Sequence, residues 1–211
     1  QTIAPTSTLT PTHTPTSTSL SSITLFGDTY IDNRNNWFVT SDYPYIGAGK
    51  YNFSVGCPAS YDSYFCGTYV NVPFEFPKNF HIEVDLKVLN PSIDAQLALG
   101  FQVRRNDKNL YYINYFITGG YYSLRSAYNT KDLEIIPKTL TSLMNAESDS
   151  VNRLGIEVLD AKFTPIINGN RLSEGEDGNL PDSGQTYLVI YISRGSSAMI
   201  QFDNLIVQEV K

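Results

Sequence analysis

The chain has 211 residues and a formal net charge of -6, with charged residues at 17% and aromatics at 13%. An acidic chain without a Lys/Arg cluster repels phosphate backbones, which excludes nucleic acid as a partner. No run of about 18 apolar residues is present to span a bilayer as a helix, and 15 Tyr with 11 Phe suit strands and wet, sugar-facing or protein-facing surfaces better than helices.

Residues 1–22 hold 8 Thr, 5 Ser and 3 Pro, with Thr-Pro-Thr at 10–12 and 14–16 and no formal charge. Such a tract buries no core of its own. Proline directs it toward polyproline II, and its dense hydroxyls suit O-glycosylation on a secreted stalk. Ile3, Leu9 and Leu20 are the only large apolar side chains before Ile23. Two uses are open: a flexible linker, or an extended arm whose anchors Ile3, Leu9 and Leu20 enter a groove of another copy. The chain thus divides into an extended segment, 1–22, and one folded domain, 23–211.

Beyond Ile23 the pattern predicts strands at 50–55, 80–89, 96–104, 110–118, 121–128, 152–159, 162–167, 185–193 and 198–209. Asn106-Asp107-Lys108-Asn109, Gly119-Gly120 and Asn168-Gly169 read as hairpin turns, the last of type I′. Only 138–147 reads as a helical turn or two. Many strands at short spacing, without alternating helices, predict an all-β, antiparallel sandwich. Cys57 and Cys66 lie in a Tyr/Ser/Gly-rich stretch where a loop-closing disulfide is expected outside the cell. Two free buried thiols are the alternative, and two Cys with two distant His form no metal-ligand spacing. Asn52-Phe53-Ser54 is an N-glycosylation sequon.

Several segments together resemble the concanavalin A-like lectin/glucanase superfamily, especially the laminin G-like modules of bacterial surface proteins. They are Leu25-Phe26-Gly27-Asp28 with Asn35-Asn36-Trp37, Phe80-His81-Ile82-Glu83-Val84-Asp85, Gly100-Phe101-Gln102-Val103-Arg104 and Asn109-Leu110-Tyr111-Tyr112. Asn152-Arg153-Leu154-Gly155-Ile156, Ile167-Asn168-Gly169 and Phe202-Asp203-Asn204-Leu205-Ile206-Val207 continue the likeness. The resemblance implies a jelly-roll sandwich with a concave sheet, with the first and last strands side by side. It also implies a function in glycan binding, adhesion or glycan cleavage, among which the fold does not choose. Family members often tie the first and last strands with one Ca²⁺, which makes Asp28 and Asp203 candidate ligands of a structural ion; no other cofactor is implied.

Retaining glucanases of the superfamily carry Glu-x-Asp-x-Glu on one strand, and alternation turns all three carboxyls to one face. Here Glu83-Val84-Asp85 is followed by Lys87 where the third carboxylate belongs. The expectation is therefore a non-catalytic domain, with Glu83, Asp85 and Lys87 on a solvated or salt-bridged face and Ile82, Val84, Leu86 and Val88 inward. No Gly-x-Ser-x-Gly, P-loop or dinucleotide fingerprint occurs. The aromatic stretch 111–128 suggests a glycan cleft. Parity on its first strand sets Tyr112, Asn114 and Phe116 on the open face, opposite Tyr111, Ile113 and Tyr115, with Gln102 and Arg104 joining from the preceding strand. A Tyr-rich core and cross-strand ladder is the alternative. The leading functional expectation is an extracellular or cell-surface structural module, of which one form is a filament subunit that joins other copies through its N-terminal segment. A carbohydrate-binding module on a glycosylated stalk stands second, and a divergent glycan hydrolase third.

Overall fold

The computed structural model describes residues 22–39, 41, 44–105, 109–128, 131–178 and 184–211, with the backbone alone described at 104, 105, 109, 110, 128 and 131. Ile3, Leu9 and Leu20 therefore lie outside the described residues, as does the turn at 106–108. Fifteen strands are described. The first eight are β1 (Ser22–Asp28), β2 (Tyr45–Gly47), β3 (Lys50–Gly56), β4 (Phe65–Asn71), β5 (Phe80–Leu89), β6 (Leu97–Arg105), β7 (Asn109–Phe116) and β8 (Tyr121–Tyr128). They are followed by β9 (Lys131–Leu140), β10 (Val151–Leu159), β11 (Lys162–Ile167), β12 (Asn170–Arg171), β13 (Gly175–Glu176), β14 (Gln185–Ser193) and β15 (Ser197–Val210).

They form two antiparallel sheets. The first runs β12-β11-β10-β5-β15-β3-β2, with β1 alongside β15 and β13 alongside β11. The second runs β4-β14-β6-β7-β8-β9. Each central strand turns alternate side chains inward, as period-two geometry requires. Ile82, Val84 and Leu86 of β5 join Leu99, Phe101 and Val103 of β6, and Tyr111, Ile113 and Tyr115 of β7, in one buried cluster between the sheets. The result is the expected all-β sandwich with first and last strands paired, Ser22 opposite Val210 and Asp28 opposite Leu205.

Strand β15 is long enough to pair with β3 in its first half and β1 in its second, with β5 on its other side throughout. A bulge at Asn204, where φ is 47°, shifts its register against β5. The inward set accordingly changes from Ala198, Ile200 and Phe202 to Leu205 and Val207, so one extra residue re-aims the rest of the strand.

All nine expected strands are present, and Asn168 and Gly169 adopt φ of 48° and 77° in the turn between β11 and β12. The helical reading of 138–147 is corrected. Residues 138–140 complete β9, and the following loop is pinned by side chains: Thr141 Oγ1 accepts from Leu143 N, and Asn152 Oδ1 accepts from Asn145 N. Such local acceptors compete with helical carbonyls. Strand β9 carries no clear strand signal in the sequence because Pro137 interrupts it, yet Pro137 falls on an edge strand within a register shift, where a missing N–H costs little. The disulfide Cys57–Cys66 is formed, with Cα atoms 5.4 Å apart.

The sequon at Asn52 is also corrected. Asn52 is 3% exposed, donates to the carbonyls of Gly47 and Lys50, and accepts from Gln201. A side chain so enclosed is unavailable as a glycan acceptor in the folded domain.

Asp28 and Asp203, the expected metal ligands, are each engaged by nitrogen donors. Asp28 is buried and accepts from Tyr30 N at 2.6 Å, Trp37 Nε1 at 2.6 Å and Asn35 Nδ2 at 2.8 Å, while Asp203 pairs with the Lys50 ammonium and caps Asn204 N. A Ca²⁺ takes about six to eight oxygen ligands, but N–H donors occupy much of both carboxylates, and among the described residues no group of three His, Cys, Asp or Glu is gathered for a metal. The residues present do not fit the ion. Asp28 instead locks the 28–37 loop over the Tyr30, Trp37 and Tyr51 rings, whose centroids lie 5.3 to 5.7 Å apart. Asp28→Ala is expected to cost about 2–4 kcal/mol in urea unfolding, because it leaves three donors, one of them the buried Trp37 N–H, without their acceptor. A midpoint equal to wild type would contradict that role.

Candidate functional site

The outer face of the second sheet is read off the register. Across one level run Tyr191, Ala98, Phe116 and Tyr121; across the next, Tyr69, Val189, Gly100, Asn114 and Ser123; across the third, Tyr187, Gln102, Tyr112 and Arg125. The outward residues of central β6 are small at two of these levels, Ala98 and Gly100; rings of β14 and β7 flank β6 at the first and third levels, and Val189 and Asn114 flank Gly100. A shallow trough over β6 follows, where Ala98, Gly100 and Val189 are themselves buried beneath their larger neighbours. Phe65, Tyr112, Asn114, Phe116 and Tyr191 line a hollow of about 300 Å³ there.

The close approach that makes the floor needs glycine. A Cβ on Gly100 would lie 2.7 Å from Asn114 Oδ1 and 2.8 Å from the Ile113 carbonyl. Lys138 Nζ lies 4.1 Å from the Tyr121 ring centroid and 5.2 Å from that of Phe116, so a cation covers the β8–β9 side of the trough. Arg125 pairs with Asp132 at 3.3 Å beside Tyr112. Burial raises the Tyr191 and Tyr112 hydroxyls above the ordinary phenol range, so both remain neutral groups able to donate to or accept from a ligand hydroxyl.

The expected face is the observed one: Tyr112, Asn114 and Phe116 look outward together, and Tyr111, Ile113 and Tyr115 enter the core. Gln102 shares that face but is only 2% exposed, lying between Tyr187 and Tyr112 in the third level. It supports the rings and offers a ligand little surface, which corrects its reading as a contact residue. The Arg104 side chain lies outside the described residues. Phe65 and Tyr191 were not foreseen. Both are aromatic residues on strands whose neighbours are set by long-range pairing, β4 with β14 and β14 with β6. A larger recess of about 630 Å³ involves Phe74 and Phe76, whose rings pack on Phe26 and Phe80.

No protein-family model matches the chain, and no curated protein matches it. Solved structures do. A β-1,3-1,4-glucanase derived from a mouse hindgut metagenome superposes with a TM-score of 0.61 at 13% identity, over 88% of this chain and 99% of that one. A κ-carrageenase from Pseudoalteromonas carrageenovora, solved with a κ-carrageenan oligosaccharide, gives 0.58 at 11% identity over 94% and 99%. A carbohydrate-binding module from Bacillus subtilis gives 0.51 at 14% identity over 89% and 95%. The fold is that of the concanavalin A-like lectins and glucanases.

In this concanavalin A-like sandwich the Glu83-Val84-Asp85 stretch belongs to β5, on the outer face of the first sheet and thus across the core from the aromatic trough. Ile82, Val84 and Leu86 point inward, Val88 packs against the core's margin, and the outward residues form an ion-paired face as expected. Arg153 on β10 donates to Glu83 at 2.9 Å and Asp85 at 3.0 Å, Asn204 donates to Asp85 at 2.8 Å, and Lys87 lies 3.8 Å from Asp149. Arg171 grips Glu157 through two bonds of 2.7 and 2.5 Å. His81 lies between the two glutamates, 3.4 Å from Glu83 and 3.8 Å from Glu157.

Burial disfavours the charged imidazole, but Glu157 and Glu83 outweigh it and raise His81 to about 9. Arg171 first and His81 second draw Glu157 down to about 2. A raised histidine contributes stability in full below its ordinary 6.5 and loses it as pH climbs through about 9. A depressed glutamate contributes above its ordinary 4.5 and loses it as pH falls through about 2. Urea unfolding of wild type and His81→Gln between pH 6 and 10 should show the wild type more stable at pH 6, by at most ~3 kcal/mol, with the two converging near pH 10. A pH-independent difference would show that His81 is neutral in the fold.

Proposed function

We propose that this domain is a non-catalytic glycan-binding module that acts outside the cell, and that the trough along β6 holds the sugar chain. The observation that carries the reading is a hollow of about 300 Å³ lined by four rings, Phe65, Tyr191, Phe116 and Tyr112, with the Asn114 amide among them. Sugar C–H faces stack on such rings, while Asn114 and the tyrosine hydroxyls exchange hydrogen bonds with sugar hydroxyls. The structural neighbours include a carbohydrate-binding module and enzymes acting on β-glucan and κ-carrageenan, which is consistent with a sugar as ligand.

The non-catalytic part of the reading is supported by where the carboxylates stand. Retaining hydrolysis needs two carboxyls about 5 Å apart across the scissile bond. None of the five described residues that line the hollow is a carboxylate, and Glu83 and Asp85 are bound to Arg153 on the opposite outer face. The disulfide Cys57–Cys66 favours an oxidising compartment, and among the described residues no helix is long and apolar enough to cross a membrane. The filament reading depends on Ile3, Leu9 and Leu20, outside the described residues, and no observation favours it.

Affinity electrophoresis of the full chain through gels containing mixed-linkage β-glucan, laminarin, κ-carrageenan or alginate tests the proposal. Retardation in at least one gel is expected. Tyr112→Ala and Phe116→Ala should each weaken it about tenfold, ~1.4 kcal/mol, with melting temperatures close to wild type. Free migration in every gel would refute glycan binding to these polymers, and release of reducing ends by the purified protein would refute the non-catalytic reading.

A further inference from the structure

The trough does not end at Phe65. Strand β4 begins there, and the preceding residues form the loop closed by Cys57–Cys66. Within it Tyr61 is 48% exposed and Tyr64 58% exposed, large values for rings in a braced loop. Tyr64 meets Phe65 edge-on, with centroids 4.9 Å apart and planes at 78°, and Phe65 lines the hollow with Tyr191 and Phe116. Aromatic surface therefore continues from the trough through Phe65 onto the loop.

The loop is held at its base and along its length. Besides the disulfide, Cys57 N donates to the Ser196 carbonyl at 2.9 Å, Gly195 N to the Cys57 carbonyl at 2.7 Å, and Arg194 N to the Tyr64 carbonyl at 2.8 Å. Tyr61 N closes a turn onto the Pro58 carbonyl at 3.0 Å. The stretch between β14 and β15 thus serves as a splint for the loop. Nothing in the core uses the two rings, since neither Tyr61 nor Tyr64 belongs to the buried cluster. A ring fixed by its backbone loses little freedom on binding, so a ligand gains contact area there at low entropic cost.

We propose that the disulfide-closed loop is a second binding subsite of the trough, where Tyr61 and Tyr64 receive the continuation of the same glycan chain beyond Phe65. This rests on the reading of the trough as a glycan site and deepens it: the ligand class becomes an oligosaccharide or polysaccharide several sugars long, lying across the sheet surface and onto the loop. Asp62, exposed between the two tyrosines, supplies acceptors for sugar hydroxyls at that end.

The test is calorimetric titration of the full chain with disaccharides and hexasaccharides of mixed-linkage β-glucan and of κ-carrageenan. Tyr61→Ala and Tyr64→Ala should each lower hexasaccharide affinity about fivefold to tenfold and leave disaccharide affinity unchanged, whereas Tyr112→Ala should lower both. The paired variant Cys57→Ser with Cys66→Ser should behave like the tyrosine variants; should it fail to fold, the tyrosine variants decide alone. Hexasaccharide affinity unchanged in Tyr61→Ala and Tyr64→Ala, with Tyr112→Ala still weakened, would overturn the loop subsite and leave the trough standing. Equal losses for short and long ligands would overturn it too, because the loop would then only support the trough. A wild-type chain that binds none of these saccharides would bring down both readings.

Discussion

Everything on the outer face of the second sheet depends on the alternation of side chains along one central strand. Leu97, Leu99, Phe101 and Val103 of β6 must enter the core to join the two sheets, so Ala98, Gly100 and Gln102 are committed to the other face. Because Ala98 and Gly100 are small and rings of the neighbouring strands stand at the levels of Ala98 and Gln102, the sheet surface dips over β6 into a trough. The same positions that pack the core thereby set the depth and direction of the site. Gly100 ties the two together, since any side chain there would collide with Asn114 and the backbone of β7.

The two outer faces of the sandwich have divided the polar chemistry between them. The first sheet carries Arg153, Arg171, His81, Glu83, Asp85 and Glu157 as a partly buried, mutually satisfied network. Paired charges of this kind hold neighbouring strands in register while offering a ligand no free group, and their net worth is modest because each must be desolvated. The second sheet turns rings outward. A fold shared by glycan-cleaving and glycan-binding proteins thus acquires its character from which face receives the carboxylates and which the aromatics.

Where the first and last strands lie side by side, a hydrogen-bond hub holds the edge of the sandwich. Asp28 ends β1 and gathers the Tyr30 amide, the Trp37 indole and the Asn35 amide, while Lys50 neutralises Asp203 on the last strand. The 28–37 loop is thereby fixed over the aromatic cluster that closes this part of the core.

Local physics made much of this legible without coordinates. Period-two patterning located the nine principal strands, Asn168-Gly169 announced its turn through the positive φ that both residues tolerate, and parity alone separated Tyr112, Asn114 and Phe116 from Tyr111, Ile113 and Tyr115. The spacing of Glu83, Asp85 and Lys87 marked an ion-paired face. What parity cannot supply is which strand lies beside which. Phe65 and Tyr191 joined the trough only because β14 pairs with both β4 and β6 across long stretches of chain, and Asn52 was lost as a glycan acceptor only because Gln201 and the turn beside it enclose its amide. Nor does the alternation of Glu83 and Asp85 say which sheet will hold β5. Each strand's own residues decide which of its side chains share a face; strand order and register, set by packing between segments distant in sequence, decide which faces meet and what chemistry they assemble.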